Sequence, residues 1–289
     1  MPNPLDYNRA KPLFMLPDRL WAIDDAPHAL ESIYSQDKPV LIYLHGRAKG
    51  IGEPRKSVEE NIYANLTKYD VATIGFTWDS DDPGYDETRP IASADDFARF
   101  LDYLGDYLRA NPQAAKPSLL AHSMGNIIVA ELAKDDLLGT ARGPLMANIV
   151  LSAAAVKQKR HHRWLEKIRM AERNYVMVNP HDRVLKFAGF GFKPNMLGQD
   201  LRTPGVTPEL ATYVSLEQLG VKHRYFVKPG QKKQANLRSF YAQALSGATV
   251  DFGPIADPRS IDGVPVMSIR PTVPASGKQS RIEPVSAYE

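Results

Sequence analysis

The sequence predicts an α/β fold in which one mostly parallel sheet is covered by helices on both faces. Short, continuous apolar runs rich in β-branched and aromatic residues alternate along the chain with longer segments of helical periodicity. No internal repeat of about 20 to 50 residues occurs, which excludes solenoids and propellers. Strands that alternate with helices imply right-handed crossover connections, and these connections make the strands parallel.

The individual elements follow from these patterns. The predicted strands are uncharged or nearly uncharged apolar runs at 39–44, 71–78, 118–121, 148–156, 175–178 and 212–218. The predicted helices have an apolar stripe or a capping signal and lie at 57–69, 95–109, 126–134, 164–173 and 234–245. The helix over 95–109 has the clearest pattern, because its apolar residues recur every three or four positions.

The 289 residues are expected to form one α/β domain over 39–248. Residues 1–38 are interpreted as an N-terminal lead-in. Residues 249–289 are interpreted as a proline-rich tail that packs along the surface and is partly disordered. In such sheets, functional sites form beyond the carboxyl ends of the strands.

Composition excludes several classes of function. The chain has no cysteine, which rules out disulfides, thiolate metal sites and cysteine nucleophiles. A net charge of +3 gives no indication of a nucleic-acid partner. No apolar segment is long enough to span a bilayer, and the first residues lack a signal-peptide pattern, so a cytoplasmic location is expected. The sequence does not indicate the oligomeric state.

The strongest chemical signal is the segment A-H-S-M-G-N, with Ser123 at its centre. It follows a predicted strand and precedes a predicted helix, an arrangement typical of a nucleophile held on a sharp turn. Small residues at Ala121 and Gly125 leave room for that turn. The alternative is a serine that only caps the helix N-terminus.

A serine nucleophile needs a base within hydrogen-bonding distance and a third group that orients the base. Among seven histidines, His223 is best placed, because it lies between the last predicted strand and the last helix. Asp182 follows the strand 175–178 and is the predicted acid. The alternatives are a surface histidine at 223 and a carboxylate at 182 that caps a turn or pairs with Arg183.

Two backbone amides are expected to form an oxyanion hole, those of Met124 after the nucleophile and Arg47 after an early strand. The long segment 183–210 is interpreted as a lid or a wall of the acyl pocket, with packing of its aromatic residues as the alternative. The predicted substrate-binding residues are His45, Gly46, Trp78, Phe187 and Phe190.

These motifs resemble those of the α/β-hydrolase-fold serine esterases, in particular a mainly bacterial lipase-like family. The resemblance covers residues 39–245 and rests on H-G at 45–46, F-x-W at 76–78, the A-H-S-M-G-N elbow, an Asp-containing turn at 179–182 and H-x-Y-F at 223–226. The chain departs from the family at Ala154 and Ala155, where members often carry an aspartate.

The resemblance implies a three-layer α/β-hydrolase fold with a minimal cap and hydrolysis of small or medium carboxylic esters. Ser123 would attack, His223 would transfer the proton and Asp182 would orient the imidazole, without a metal or organic cofactor. Because the base must be neutral, activity is expected to rise through neutral pH. The alternatives are an amidase, thioesterase or peptidase with the same triad, or an inactive binding protein of this fold.

One basic segment falls outside this interpretation. Residues 157–163 read K-Q-K-R-H-H-R and are predicted to be the solvated start of a helix. Contact with a phosphate or a nucleic acid is the alternative.

Overall fold

Ten strands form one sheet in the computed structural model, which describes residues 13–16, 19–47, 58–59, 65–80, 85–135, 143–188, 195–201, 205–207, 209–226 and 234–272. The strands are β1 Leu13–Leu16, β2 Arg19–Ala22, β3 Val40–Leu44, β4 Ala72–Thr77, β5 Ser118–His122, β6 Met146–Ser152, β7 Ala171–Val178, β8 Thr212–Ser215, β9 Ala256–Ile261 and β10 Val264–Ile269. The helices are α1 Ala26–Tyr34, α2 Thr88–Ala92, α3 Ala94–Ala110, α4 Gly125–Lys134, α5 His162–Leu165, α6 Arg183–Ala188 and α7 Ala235–Leu245.

The sheet has the order β2-β1-β4-β3-β5-β6-β7-β8-β10-β9. The seven neighbouring strands β4, β3, β5, β6, β7, β8 and β10 pair in parallel in that order. The antiparallel pairs lie at the two edges, where β2 and β1 precede β4 and where β9 follows β10. Every residue of β3, β4, β5 and β6 is buried, which explains why these strands read as continuous apolar runs. The predicted mostly parallel sheet is confirmed.

Helices cover both faces of the sheet. On one face α3 packs between α1 and α4. It buries the predicted stripe at Phe97, Phe100, Leu101 and Leu104. On the other face α7 lies against β5 and β6, where the Ser118 hydroxyl donates to the Ala244 carbonyl at 3.0 Å. Within the described residues, no helix combines the length and the apolar character needed to cross a membrane.

The interpretation of the two chain ends as a lead-in and a tail is wrong for most of their described residues. β1 and β2 form a hairpin that pairs with β4, and α1 packs on α3. β9 and β10 form a second hairpin that extends the sheet beyond β8. Pro258 lies on the edge strand and Pro265 precedes the first residue paired with β8, positions where a missing N–H is tolerated. Residues 273–289 lie outside the described part.

Several predicted elements have different bounds, among them the strand predicted at 212–218, which ends at Ser215. The helix predicted at 164–173 is limited to α5, because residues from Ala171 onward pair with β6 as β7. The strand predicted at 148–156 ends at Ser152. Much of the helix predicted at 57–69 lies outside the described residues, and its end is a 3-10 turn, Thr67–Tyr69.

Candidate active site

Ser123 lies in a sharp turn between β5 and α4. Its φ angle is +53°, in the left-handed region that L-residues rarely occupy, and its side chain is largely buried. Two backbone hydrogen bonds fix the turn: the Ser123 amide donates to the Ser152 carbonyl at 3.0 Å, and the Ala155 amide donates to the Ser123 carbonyl at 3.2 Å. Strained backbone of this kind is typical of a nucleophile elbow.

The Asn126 side chain stabilises this turn from inside α4. Its fully buried amide nitrogen lies within hydrogen-bonding distance of three carbonyl oxygens, those of Ala121, Ser123 and Ser152, at 3.1, 2.9 and 3.2 Å. These carbonyls belong to β5, the elbow and the end of β6. Asn126 therefore supports the elbow through hydrogen bonds.

Two glycines allow the elbow to contact the loop that follows β3. A Cβ atom on Gly125 would lie 2.7 Å from the His45 carbonyl oxygen and 2.8 Å from the Leu44 carbonyl oxygen. A Cβ atom on Gly46 would lie 2.7 Å from the Cβ of Ser123. Gly46 therefore lets its loop approach the proposed nucleophile itself, a packing role that the sequence analysis did not anticipate.

His45 and Trp78 join the ends of β3 and β4. The His45 Nδ1–H donates to the Gly46 carbonyl at 2.6 Å, and the Trp78 amide donates to His45 Nε2 at 3.2 Å. The indole N–H donates to the His45 carbonyl at 2.9 Å, and the two rings stack. Burial lowers the pKa of His45 to about 4, so the ring is neutral at pH 7. Contact of either residue with substrate stays a prediction.

Asp182 and His223 form a hydrogen-bonded pair beyond the carboxyl ends of β7 and β8. The His223 Nδ1–H donates to Asp182 Oδ2 at 2.8 Å. The amides of Val184 and Leu185 donate to Oδ1 at 3.0 and 3.1 Å. Because Nδ1 carries the donated proton, the neutral ring presents a lone pair at Nε2, as a general base requires.

Tyr225 is a functional candidate that sequence reasoning missed. Its hydroxyl donates to Asp182 Oδ2 at 2.6 Å, so this oxygen accepts from both Tyr225 and His223. Burial alone would raise the pKa of Asp182, but the hydrogen bonds from His223 and Tyr225 outweigh it and hold the pKa below 3.8. The signal was present in the H-x-Y-F motif, in which the tyrosine follows the predicted base by two residues.

The loop that carries His223 is also fixed from the elbow side. The His122 Nε2–H donates to the His223 carbonyl at 3.3 Å, and the two rings have centroids 4.9 Å apart. The Tyr69 hydroxyl donates to the Phe226 carbonyl at 3.2 Å. Burial, followed by the nearby His223, lowers the pKa of His122 well below 6.5, so this neutral histidine serves as a packing partner and donor.

The predicted catalytic residues all follow the carboxyl ends of parallel strands, β5 for Ser123, β7 for Asp182 and β8 for His223. Asp182 and His223 are in direct contact, and His223 packs on His122, which immediately precedes Ser123. Within the described residues, no hydrogen bond of the Ser123 hydroxyl is present, and catalytic hydrogen bonds are often long before substrate binds. Proton transfer between Ser123 and His223 therefore stays a prediction.

The predicted oxyanion donors are Met124, which follows Ser123 in the chain, and Arg47, which follows Gly46. Among the backbone hydrogen bonds of the described turns and loops, none is donated by the Met124 amide. An oxyanion donor needs an amide of this kind. Arg47 is exposed and directly follows Gly46, whose backbone is packed against the elbow. Their joint role as an oxyanion hole stays a prediction.

The predicted pocket residues beyond Asp182 are only partly described. Phe187 lies on α6 with 67% of its surface exposed, and Phe190 lies outside the described residues. Met196 and Leu197, in the same predicted lid segment, are buried core residues. In the described part of the chain, no three histidine or acidic side chains are grouped so that they could hold a metal ion.

The segment around Gly198 packs closely against the backbone that follows β6. The Gly198 amide donates to the Ala154 carbonyl at 3.0 Å, and the Asn179 amide donates to the Gly198 carbonyl at 2.9 Å. A Cβ atom on Gly198 would lie 2.3 Å from the Ala154 nitrogen. The backbone of this segment occupies the space beside β6.

A family model described as "Alpha/beta hydrolase of unknown function (DUF900)" matches residues 26–199, more than half of the chain. The chain belongs to this family. The α/β-hydrolase fold predicted from the elbow and the strand order is thereby confirmed. No curated protein matches the sequence of this hydrolase.

Solved structures of three other proteins resemble this hydrolase distantly. An esterase from Pyrobaculum calidifontis is 15% identical, with 72% of this chain and 76% of the esterase covered and a TM-score of 0.41. An α/β serine hydrolase without lid from Xanthomonas campestris is 14% identical, with 71% and 80% covered and a TM-score of 0.36. A predicted CIB-like hydrolase from Thermoplasma acidophilum is 14% identical, with 66% and 80% covered and a TM-score of 0.33. The family match, not these similarities, assigns the chain to the α/β hydrolases.

Proposed function

We propose that the protein is a serine hydrolase that cleaves carboxylic esters of small or medium acyl substrates through an acyl-enzyme. Two observations support the proposal, the hydrogen bond of 2.8 Å between His223 and Asp182 and the left-handed backbone geometry of Ser123. A serine that only capped a helix would need neither the strained turn nor the oriented imidazole.

In the first half of the reaction, His223 Nε2 takes the hydroxyl proton as Ser123 Oγ attacks the ester carbonyl carbon. The carbonyl electron pair moves to oxygen, and the amides of Met124 and Arg47 donate to the resulting oxyanion. Loss of one such donor typically costs roughly 3 kcal/mol of transition-state stabilisation. The tetrahedral intermediate then collapses, and His223 returns the proton to the departing alcohol.

In the second half, water replaces the alcohol. His223 takes a proton from the water as its oxygen attacks the acyl carbon, and Ser123 leaves with that proton while the carboxylic acid is released. Asp182 keeps its charge throughout and stabilises the imidazolium. Its lowered pKa, with two backbone amides and Tyr225 as additional donors, suits a carboxylate that stays ionised.

Hydrolysis of p-nitrophenyl esters from acetate to dodecanoate tests this proposal and measures the acyl length that the pocket accepts. We expect Ser123→Ala to lower kcat/KM by roughly four orders of magnitude, because the nucleophile acts as a unit with its base. The matched control is Ser260→Ala on the exposed edge strand β9, which should retain wild-type rates.

Covalent labelling separates a serine hydrolase from an inactive protein of the same fold. A fluorophosphonate probe should form one adduct, located on Ser123 by peptide mass spectrometry, and Ser123→Ala should remain unlabelled. Ester hydrolysis that survives the Ser123→Ala change, or folded wild-type protein that forms no adduct, would contradict the proposal.

A further inference from the structure

A groove lined by basic side chains lies in the helical layer, between α2, α4 and α5. Its volume is about 480 Å³, within the range typical of small-molecule sites. We refer to it as the basic groove and define it by its six cations, Lys134, Lys157, Lys159, Arg160, Arg163 and Lys167, and the apolar residues between them. It is separate from the Asp182–His223 pair, since neither residue lines it.

The segment 157–163 that supplies four of these cations is anchored in the core. His161 is completely buried, with its Nδ1–H donating to the Gln158 carbonyl at 2.9 Å and its Nε2 accepting from the Tyr213 hydroxyl at 2.7 Å. Gln158 is also buried, and its backbone N–H donates to the Asn195 backbone carbonyl at 2.9 Å. The four cations are exposed and directly precede or begin α5, as predicted for a solvated helix start, but the buried Gln158 and His161 anchor the segment and hold the cations at the groove.

The charges of the groove are only partly compensated. Among the described residues, Glu87 is the one acidic residue in the lining and lies 3.4 Å from Lys157, while Lys134 pairs with Glu131 at 2.7 Å. Within the described part of the chain, no ion pair of Lys159, Arg160 or Arg163 is present. The lining has five more positive than negative charges, whereas the whole chain has a net charge of +3. The rest of the protein therefore has a slightly negative net charge, and positive charge is concentrated at the groove.

The surface between the cations is apolar. It consists of Ile91, Ile127, Ala130, Val156 and Trp164. Ile91 stands at the edge with 37% of its surface exposed, so part of this apolar surface is still in contact with water. Crowded cations attract an anion, and the apolar surface favours a hydrocarbon group attached to it.

We propose that the basic groove binds a small anionic amphiphile, with its carboxylate or phosphate on Arg160 and Arg163 and its hydrocarbon chain over Ile91 and Trp164. Guanidinium groups suit both anions, because their paired N–H donors match two oxygens at once. The proposal is independent of ester hydrolysis, since it uses no residue of the proposed triad.

Isothermal titration calorimetry with the full chain tests this proposal, using decanoate and decyl phosphate below their micelle concentrations. We expect at least one of the two probes to bind, with affinity that falls as ionic strength rises. The probe that binds more tightly identifies the head group. Arg160→Gln/Arg163→Gln should weaken binding roughly tenfold or more, because two charge-assisted contacts are lost.

Two further variants keep the test specific. Arg109→Gln/Arg259→Gln removes the same charge at exposed positions outside the groove and should bind within twofold of wild type. Ile91→Ser leaves every charge in place. It should weaken binding of whichever of decanoate and decyl phosphate binds wild type, without changing the affinity for inorganic phosphate. Circular dichroism verifies that each variant is folded.

Several results would overturn the proposal. One is failure of both decyl probes to bind, and another is unchanged affinity in the folded Arg160→Gln/Arg163→Gln variant. Neutral decyl maltoside that bound as tightly as the two anionic probes would show that the charges do not matter. Inorganic phosphate that bound as tightly would show that the hydrocarbon group of the ligand does not matter. Binding only to phosphatidylglycerol vesicles, with no response to single amphiphiles, would indicate a membrane surface instead.

Discussion

Close backbone packing, reinforced by the Asn126 side chain, holds the serine half of the candidate site, residues 121–126 with the loop 45–47. Hydrogen bonds to a single carboxylate hold the acid–base half, Asp182 with residues 223–226. In the serine half, Gly125 lies directly against the carbonyls that end β3. In the acid–base half, Tyr225 and His223 reach the same carboxylate oxygen. A single added carbon should therefore disrupt the serine half. In the acid–base half, loss of one hydrogen-bond donor should lower activity only in part, because the other donors remain.

The largest effect is expected from Gly125→Ala. The new Cβ would lie 2.7 Å from the His45 carbonyl oxygen and 2.8 Å from the Leu44 carbonyl oxygen, and neither backbone atom can rotate away. We expect the free energy of unfolding to fall by about 3 kcal/mol or more, with loss of esterase activity in the protein that folds. Urea denaturation measures the first effect and p-nitrophenyl ester hydrolysis the second.

Gly105→Ala is the matched control for this change. Gly105 lies inside α3, where an added Cβ would meet Leu145 at an ordinary 3.6 Å. Alanine there should be neutral or should stabilise the protein by up to about 1 kcal/mol, because it favours the helix. If both alanines cost the same, the tight contact between the elbow and β3 would not be the cause.

The second effect is the loss of stability as pH falls, which should arise first from the serine half. The unfolded chain protonates His45 near pH 6.5, but the folded protein keeps it neutral until about pH 4, so acid favours the unfolded state. This group alone should remove about 2 kcal/mol of stability between pH 7 and 5. The Asp182 contribution is present above pH 3.8 and is lost only as pH falls through the lowered pKa.

Urea denaturation at pH 7 and pH 5 checks this order. His45→Gln should be less stable than wild type at pH 7 but should lose about 2 kcal/mol less between the two pH values. His28→Gln, a change at an exposed histidine, should leave the wild-type difference unaltered. An identical pH response in wild type and His45→Gln would contradict the assignment of His45 as a buried neutral group.

The serine half was predictable because its determinants are contiguous in sequence. A strand, a small residue, the serine, a glycine and an amide side chain lie within six positions at 121–126. The central strands were predictable for a similar reason, since full burial of β3 to β6 is visible as uninterrupted apolar runs. Asp182 and His223 followed from their order along the chain.

The remaining features depend on tertiary contacts that a local pattern does not contain. Two prolines concealed β9 and β10 in the sequence, although Pro258 lies on the edge strand and Pro265 precedes the residues of β10 that pair with β8. The amphipathic pattern over 164–173 indicated a helix, but pairing of Ala171 with Met146 outweighs local propensity. Tyr225 was missed because a tyrosine two residues from a base could equally point into the core, and only the fold brings its hydroxyl to Asp182.

The smallest predicted effect comes from the acid–base half and tests whether Tyr225 positions the acid. Tyr225→Phe leaves Asp182 with the donors from His223, Val184 and Leu185, so the pair should persist in a less restrained form. We expect roughly a tenfold loss of kcat/KM, equivalent to about 1.4 kcal/mol. Asp182 also becomes more basic and holds the imidazolium more strongly, so the acid limb of the kcat/KM profile should move to higher pH.

Tyr175→Phe separates this positioning role from simple loss of a buried hydroxyl. The Tyr175 hydroxyl accepts from the Val250 amide at 3.3 Å, and its ring packs on Phe240, so the change removes a comparable group remote from Asp182. That variant should lose some stability and keep the wild-type pH profile. If Tyr225→Phe also lowered stability without moving the acid limb, Tyr225 would be a packing residue, and two amides with His223 would suffice to orient the carboxylate.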